Sequence, residues 1–427
     1  MGDSVEEEKR MTYQEAMDYI EEVKREERNK KELSHSNIES LCEKLGHPQR
    51  ELSFIYIMGE NGKSSVLAFV SEVLKAAGYR IGGYRSPAVF DQRDKIRMNG
   101  RPISKKEFCG QITRLRALGQ ELAWEGKSYP TFHELEMAMA FQHFKEQGCQ
   151  IVVWEIDFDE WEAMAGLTPN IWMNVLTSTS LEQRERMKDF KIPFTESPFI
   201  KSDTFKVSGV RRNLERQIFS YQEYKNLTIP LLGAYQIENG VLALQVIKQL
   251  KEMGFSISEK AVYKGFAEVS LPGRFQILAK KPYFIVDGAK DAEGVQKLAE
   301  TIQFYFTGKK VIYIMGMLQD VENCPLKIYS LAEQILTIPT RGENGLSSYE
   351  LACIMRDYHE SVTAVDSMEE AVELACLLAD KETVIVAFGS LSGMGSLIQF
   401  VEKVSENEER NNIGKDSHGK KRDNYKI

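Results

Sequence analysis

Residues 59 to 65 read Gly-Glu-Asn-Gly-Lys-Ser-Ser, and these types at this spacing can hold phosphate. Gly59 and Gly62 let the backbone turn with its N–H groups aimed at an anion. Lys63 can reach a terminal phosphate, and a serine hydroxyl can bind Mg²⁺. The eight-residue P-loop spacing is not met, because Ile57 stands where its first glycine belongs. An ordinary strand-to-helix turn that happens to contain a lysine is the plainer alternative. A second chemical group is Glu155, which closes the apolar run Gln150-Ile-Val-Val-Trp-Glu155. A carboxylate at the carboxyl end of a buried strand beside a phosphate loop is placed to hold Mg²⁺.

The elements around these residues are the ones such chemistry needs. Phe54 to Met58 is a short apolar run that predicts a buried strand, and the loop follows at once. Val66, Leu67, Phe69, Val70, Val73, Leu74 and Ala77 then fall on one face of a helix that Gly78 can end. Ahead of the strand, Met11–Val23 has helical spacing, with Thr12 and Glu15 placed to form a capping box. Residues 24–34 are a charge run, read as a solvated helix face or loop. Asn37 to Leu45 predicts a second helix, stopped by Gly46 and Pro48. Residues 79–104 begin as a strand and become a polar loop with a turn at Asn99-Gly100. Arg85, Arg93, Lys95, Arg97 and Arg101 there could meet an acidic ligand or serve as ordinary surface charge. Thr131–Phe144 predicts an amphipathic helix with His133 and His143 on its surface. The acidic stretch from Asp157 to Glu162 reads as a solvated loop, although Asp157 or Asp159 could lend oxygen to a metal. Beyond Leu271, strands expected at 283–286, 311–315, 335–338, 361–365 and 383–388 alternate with helices near 292–306, 347–357 and 368–380. That order predicts a small, largely parallel α/β domain.

Composition bounds the class. The chain has 427 residues, 42% hydrophobic and 28% charged, with a net charge of −8. This is ordinary globular material of two or three domains, and the acidic balance argues against a nucleic-acid partner. The N-terminus is acidic rather than signal-like, and no apolar run could span a bilayer, so no membrane partner is expected. Six scattered cysteines without a Cys-x-x-Cys pair fit free thiols in a reducing cytoplasm.

Several stretches, in order over most of residues 11–400, resemble the folylpolyglutamate synthase and dihydrofolate synthase family of the Mur ligase superfamily. The family's loop reads Gly-Thr-Asn-Gly-Lys-Gly-Ser. Gly59, Asn61, Gly62, Lys63 and Ser65 match it, while Glu60 and Ser64 replace a threonine and a glycine. Ser86-Pro87 opens a stretch similar to the family's Ser-Pro-His-Leu loop. Gly233-Ala-Tyr-Gln-Ile-Glu-Asn239 resembles Gly-x-His-Gln-x-x-Asn, Leu271-Pro-Gly-Arg-Phe-Gln276 resembles the Pro-Gly-Arg-Phe linker, and Asp287-Gly-Ala-Lys-Asp291 resembles Asp-Gly-Ala-His-Asn. Gly389-Ser-Leu-Ser-Gly-Met-Gly395 is similar to the closing glycine motif.

The resemblance implies an α/β fold: an N-terminal, P-loop, Mur-ligase-type ATP-binding domain (1–270), a hinge (271–275) and a smaller Rossmann-like C-terminal α/β domain (276–401). A charged tail would follow over 402–427. It implies ATP and Mg²⁺ as cofactors, with folate and glutamate as small-molecule substrates of a cytoplasmic, monomeric ligase. Lys63, Glu155 and Arg274 would be catalytic. Gly59, Asn61, Gly62, Lys63, Ser64, Ser65, Gln236, Asn239, Arg274 and Asp287 would bind nucleotide, and Ser86 and Pro87 substrate. Ser65, Glu155 and Gln183 would hold the metal. The chain also departs from the pattern. The family's Val-Gly-Leu-Gly-Gly-Arg after the metal-binding glutamate is replaced by Ile156-Asp-Phe-Asp-Glu-Trp161, and Ala88, Gln183, Tyr235 and Lys290 stand where the family has histidines. No segment matches the family's Lys-Ala-Gly-Ile, whose lysine is carbamylated in many relatives. Two further readings therefore stand beside the ligase: a nucleotide- or folate-binding protein that does not ligate, and a ligase with a changed acceptor.

Overall fold

The computed structural model describes residues 10–28, 37–178, 199–200, 204–316, 326–340, 345–389 and 393–404. The chain divides into two compact units. The first comprises Met1–Ser86, Gln92–Lys206 and Glu238–Val269, and the second Pro87–Asp91, Val207–Ile237 and Ser270–Ile427.

In the first unit, α1 (Tyr13–Arg28) and α2 (Asn37–Lys44) precede β1 (Phe54–Met58) and α3 (Lys63–Ala76). The Thr12–Glu15 capping box forms: the Glu15 amide donates to Thr12 Oγ1 at 3.2 Å and the Thr12 amide to Glu15 Oε2 at 2.6 Å. There follow β2 (Ile81–Tyr84), β3 (Ile96–Met98) and β4 (Arg101–Pro102), then α4 (Lys105–Trp124) and α5 (Phe132–Glu146). Then come β5 (Ile151–Glu155), α6 (Phe158–Leu167), β6 (Ile171–Leu176) and β7 (Phe199–Ile200). The strands form one sheet in the order β4-β3-β2-β5-β1-β6-β7. β1 lies between β5 and β6, parallel to both. All five of its residues are buried, as a strand covered on both faces by helices must be. Asn99 and Gly100, both at positive φ (49° and 78°), make the tight turn between β3 and β4 that their sequence predicts.

Phe54, Tyr56 and Met58 pack on one face with Phe141, Phe144 and Trp154. Trp154 is sandwiched there: its ring stacks on Tyr84 at 3.9 Å and on Phe141 at 5.1 Å. On α3, Phe69 stacks against Phe266 at 4.9 Å.

Two expectations are corrected in this unit. The acidic stretch after Glu155 is not a solvated loop but the helix α6. Phe158, Trp161 and Met164 recur at helical spacing and are all buried, while Asp159 between them is exposed. His143 is not a surface residue: it is only 3% exposed, because nearly every position of α5 is covered.

The second unit holds a three-stranded antiparallel sheet of β8 (Val207–Arg212), β9 (Gln217–Tyr221) and β10 (Tyr224–Ile229). The following helix, α7 (Tyr235–Glu252), starts in this unit and continues in the first, where α8 (Glu259–Glu268) also lies. The second unit then adds β11 (Gln276–Lys280), β12 (Tyr283–Asp287), α9 (Ala292–Tyr305), β13 (Lys310–Gly316), α10 (Leu326–Ser330) and β14 (Ala332–Thr337). It closes with α11 (Ser348–Met355), β15 (Val362–Ala364), α12 (Met368–Leu378), β16 (Thr383–Gly389) and a helix over residues 394–404. The six strands run β11-β12-β16-β13-β14-β15, parallel except for β11, with an apolar core on each face. The last helix runs past Glu402. Residues 405–427, where a tail is expected, lie outside the described residues, as do Ser390–Ser392 of the closing glycine motif.

Candidate nucleotide site

The phosphate loop is built by the turn out of β1. Gly59 and Gly62 take φ of 131° and 95°, which side chains rarely adopt. Side chains are excluded here by space as well. A Cβ on Gly59 would lie 2.2 Å from Thr177 Oγ1, and one on Gly62 would lie 2.5 Å from Asn239 Oδ1. The second contact brings Asn239, on α7, to the loop. Thr177 and Ser178, just after β6, brace the other side. The Thr177 hydroxyl donates to the Met58 carbonyl at 3.0 Å, the Glu60 amide donates to the Ser178 carbonyl at 2.9 Å, and the Asn61 amide donates to Ser178 Oγ at 3.0 Å. Sequence reasoning passed over both residues. Glu60 is exposed.

The chemistry-bearing side chains converge on the first turn of α3. Lys63 Nζ donates to the Gly59 carbonyl at 2.7 Å and to Asp157 Oδ1 at 2.7 Å. The Ser64 hydroxyl donates to Glu155 Oε2 at 2.8 Å. The parallel register of β1 and β5, with Ile57 opposite Glu155, delivers that carboxylate to the loop. Ser65, next in the turn, is 3% exposed. Gln183 lies outside the described residues. Among the described residues no cluster of three His, Cys, Asp or Glu could cage a metal. The serine hydroxyl and Glu155 nevertheless form a hard-oxygen pair, which suits Mg²⁺, an ion that fills its remaining positions with phosphate oxygens and water. The loop, whose two glycines leave no room for a Cβ, likewise suits a polyphosphate.

The basic stretch of residues 85–101 is engaged internally. Arg97 pairs with Asp94 at 3.1 Å, Lys95 with buried Glu136 at 2.7 Å, and Arg93 donates to the Ile103 carbonyl at 3.1 Å. Tyr84 OH donates to the same Glu136 at 2.8 Å. Ser86 and Pro87 are both exposed. His133 pairs with Glu160 at 3.2 Å.

His143 has the opposite environment. Burial disfavours its imidazolium and lowers its pKa, with Glu107 and Glu146 offsetting part of the effect. A depressed pKa contributes stability above the unfolded value and loses it as pH falls through the folded one. Thermal melts of His143→Gln should therefore decline less steeply than wild type from about pH 7.5 to about pH 5.5. Parallel declines would show that His143 does not set the slope.

In the second unit, Arg274, Asp287 and Tyr235 make a separate cluster. Asp287, at the end of β12, accepts the Phe275 amide at 2.7 Å and the Ala289 amide at 2.8 Å. Burial raises its pKa, and the Arg274 charge and those two amides offset part of the rise. Phe275 has φ of 41°, so Asp287 fixes the backbone of Arg274's neighbour in a left-handed turn. The Gly288 amide adds a 2.8 Å bond to the Gly273 carbonyl. Tyr235, standing where the family has histidine, is held protonated by desolvation and by the Asp287 charge. Gln236 is fully buried.

The chain is similar to several known proteins. A model of the Mur ligase glutamate ligase domain matches residues 273–391. The dihydrofolate synthase/folylpolyglutamate synthase of Bacillus subtilis is 26% identical over 325 residues, covering 66% of this chain and 75% of that protein. The crystal structure of folylpolyglutamate synthase from Thermotoga maritima superposes with a TM-score of 0.71 at 26% identity, over 91% of this chain and 96% of that one. The Mycobacterium tuberculosis folylpolyglutamate synthase, solved with ADP, gives a TM-score of 0.77 at 21% identity, over 90% and 99% of the two chains, and bears on the fold. Residues 273–391 thus match a glutamate ligase domain, and a mainly parallel sheet bearing the glycine loop precedes them. Over most of its length the chain is similar to folylpolyglutamate and dihydrofolate synthases.

Proposed function

We propose that this chain is an ATP-dependent carboxylate–amine ligase that joins L-glutamate to the side-chain carboxylate of a reduced folate. The observation that carries this reading is the convergence of Lys63, Ser64 and Glu155 on one loop, in a chain homologous to folylpolyglutamate synthases. In this reading residues 1–270 bind ATP, 271–275 are the hinge and 276–401 the glutamate ligase domain. Gly59, Asn61, Gly62 and Lys63 cradle the phosphates, and Gln236, Asn239, Arg274 and Asp287 are read as nucleotide-binding residues. Ser86 and Pro87 face the acceptor. Ser64, Ser65 and Glu155, with Gln183, would hold Mg²⁺, which would supply positive charge for the transferred phosphoryl group. The γ-phosphoryl group of ATP passes to the acceptor carboxylate and ADP leaves. The glutamate amine attacks that acyl phosphate, the amide forms and inorganic phosphate leaves. Lys63 holds the phosphates in line, and Arg274 supplies fixed positive charge. The Ser64–Glu155 contact beside the loop and the similarity to synthases favour ligation over the non-ligating alternative.

No helix among the described residues is long and apolar enough to cross a membrane. The ligase is taken to act in the cytoplasm, as a monomer, on small molecules alone. ADP formation that requires both a reduced folate and glutamate tests the assignment, and ADP formation indifferent to both would refute it. Glu155→Gln should raise the Mg²⁺ concentration for half-maximal ADP formation by about 10- to 100-fold. An unchanged Mg²⁺ requirement would remove Glu155 from the metal site.

A further inference from the structure

The position after β5 carries a charge the family pattern lacks. Asp157 stands where relatives have the first glycine of Val-Gly-Leu-Gly-Gly-Arg. It occupies the N-cap position of α6 yet makes no side-chain cap to that helix. Its carboxylate instead reaches back to Lys63 Nζ at 2.7 Å. The lysine is 12% exposed and the aspartate 72% exposed, so a largely solvated carboxylate is drawn onto a largely covered ammonium. Lys63 also donates to the Gly59 carbonyl. A carboxylate oxygen at hydrogen-bond distance from the phosphate-loop lysine takes the place that a nucleotide's β- or γ-phosphate oxygen needs.

The geometry points to Asp157 as a latch on the phosphate loop, an internal anion that competes with the nucleotide's terminal phosphates for Lys63. The inference rests on the reading that this loop holds ATP, and it goes beyond it by assigning Asp157 a role in nucleotide affinity and release. Phosphate entry breaks the Lys63–Asp157 pair and product departure restores it. Asp157 therefore weakens nucleotide binding and speeds release of ADP. A metal-ligand role for Asp157 would have the opposite sign, because its loss would weaken Mg²⁺-ATP.

The test is calorimetric titration of the full chain with ATP, ADP and AMP in Mg²⁺, for wild type, Asp157→Asn, Lys63→Ala and the double variant. Asp157→Asn should bind ATP and ADP about fivefold more tightly, the upper range for an exposed pair. AMP, whose single phosphate does not reach the lysine, should bind unchanged. The gain should shrink as salt rises through about 0.5 M, since one partner is solvated. It should vanish on the Lys63→Ala background, which isolates the pair from any effect on folding. Weaker or unchanged ATP binding by Asp157→Asn would overturn the latch. So would a gain that survives removal of Lys63. Binding by Asp157→Asn where wild type is silent would support the latch in its strongest form. Absence of ATP binding in both would refute the ligase reading itself, and the latch with it.

Discussion

Lys63→Ala should reduce ATP-dependent glutamate ligation by about 10²- to 10³-fold, the cost of removing one preorganised group from a developing charge. Lys63 is the first residue of α3, and Gly62, at positive φ and with no room for a Cβ beside Asn239, fixes where its stem leaves the backbone. Its ammonium is already within 2.7 Å of an anion, so its charge is presented to the loop before any nucleotide arrives. The variant should fold normally, because the lysine serves no apolar core and its partner Asp157 is solvated. Circular dichroism and melting temperature should therefore match wild type while single-turnover ligation collapses. Undiminished ligation with intact folding would remove Lys63 from the mechanism.

Trp154→Ala should lower unfolding free energy by about 3–5 kcal/mol, the range for deleting a buried aromatic. The indole is 1% exposed and lies between Tyr84 and Phe141 in the centre of the sheet. Its loss empties the layer that joins β2, β5 and α5. Trp154 directly precedes Glu155, so the cavity also loosens the strand end that holds the carboxylate to Ser64. Urea titration should show a lowered midpoint with an unchanged slope. Trp154→Phe should recover most of the stability because it retains an aromatic filler. A loss below about 1 kcal/mol would mean the neighbouring rings close the gap.

The parts of the site legible in sequence were those written by local rules. β1, the glycines and α3 announce themselves by an apolar run, a turn chemistry and a helical period. Glu155 follows because a strand ending in a carboxylate has a fixed relation to such a loop. The alternating elements beyond Leu271 appear at nearly the expected positions, since their buried strands are short apolar runs between polar helices. β11 was missed because Gln276–Lys280 is only half-buried and lacks a clear pattern. α6 was missed because its acidic residues hide three apolar ones spaced for a helix face.

Pairings across the fold were not legible at all. Lys63 and Asp157 are separated by 94 residues, and only the parallel register of β1 with β5 brings them together. The same holds for Thr177 and Ser178, whose bracing of Met58, Glu60 and Asn61 depends on β6 lying beside β1. Asp287 shows the limit in another way. A carboxylate after a strand suggests a ligand contact, yet here both oxygens already accept amides that shape the Arg274 turn. The residue's proposed nucleotide role therefore includes holding Arg274 in place.

The most direct measurement is mass-spectrometric detection of glutamyl-extended folate after the purified chain is incubated with ATP, Mg²⁺, glutamate and a reduced folate. The ligase account predicts a product one glutamyl residue heavier, dependent on ATP and nearly absent with Lys63→Ala. ATP bound and retained with no extended folate formed would contradict it.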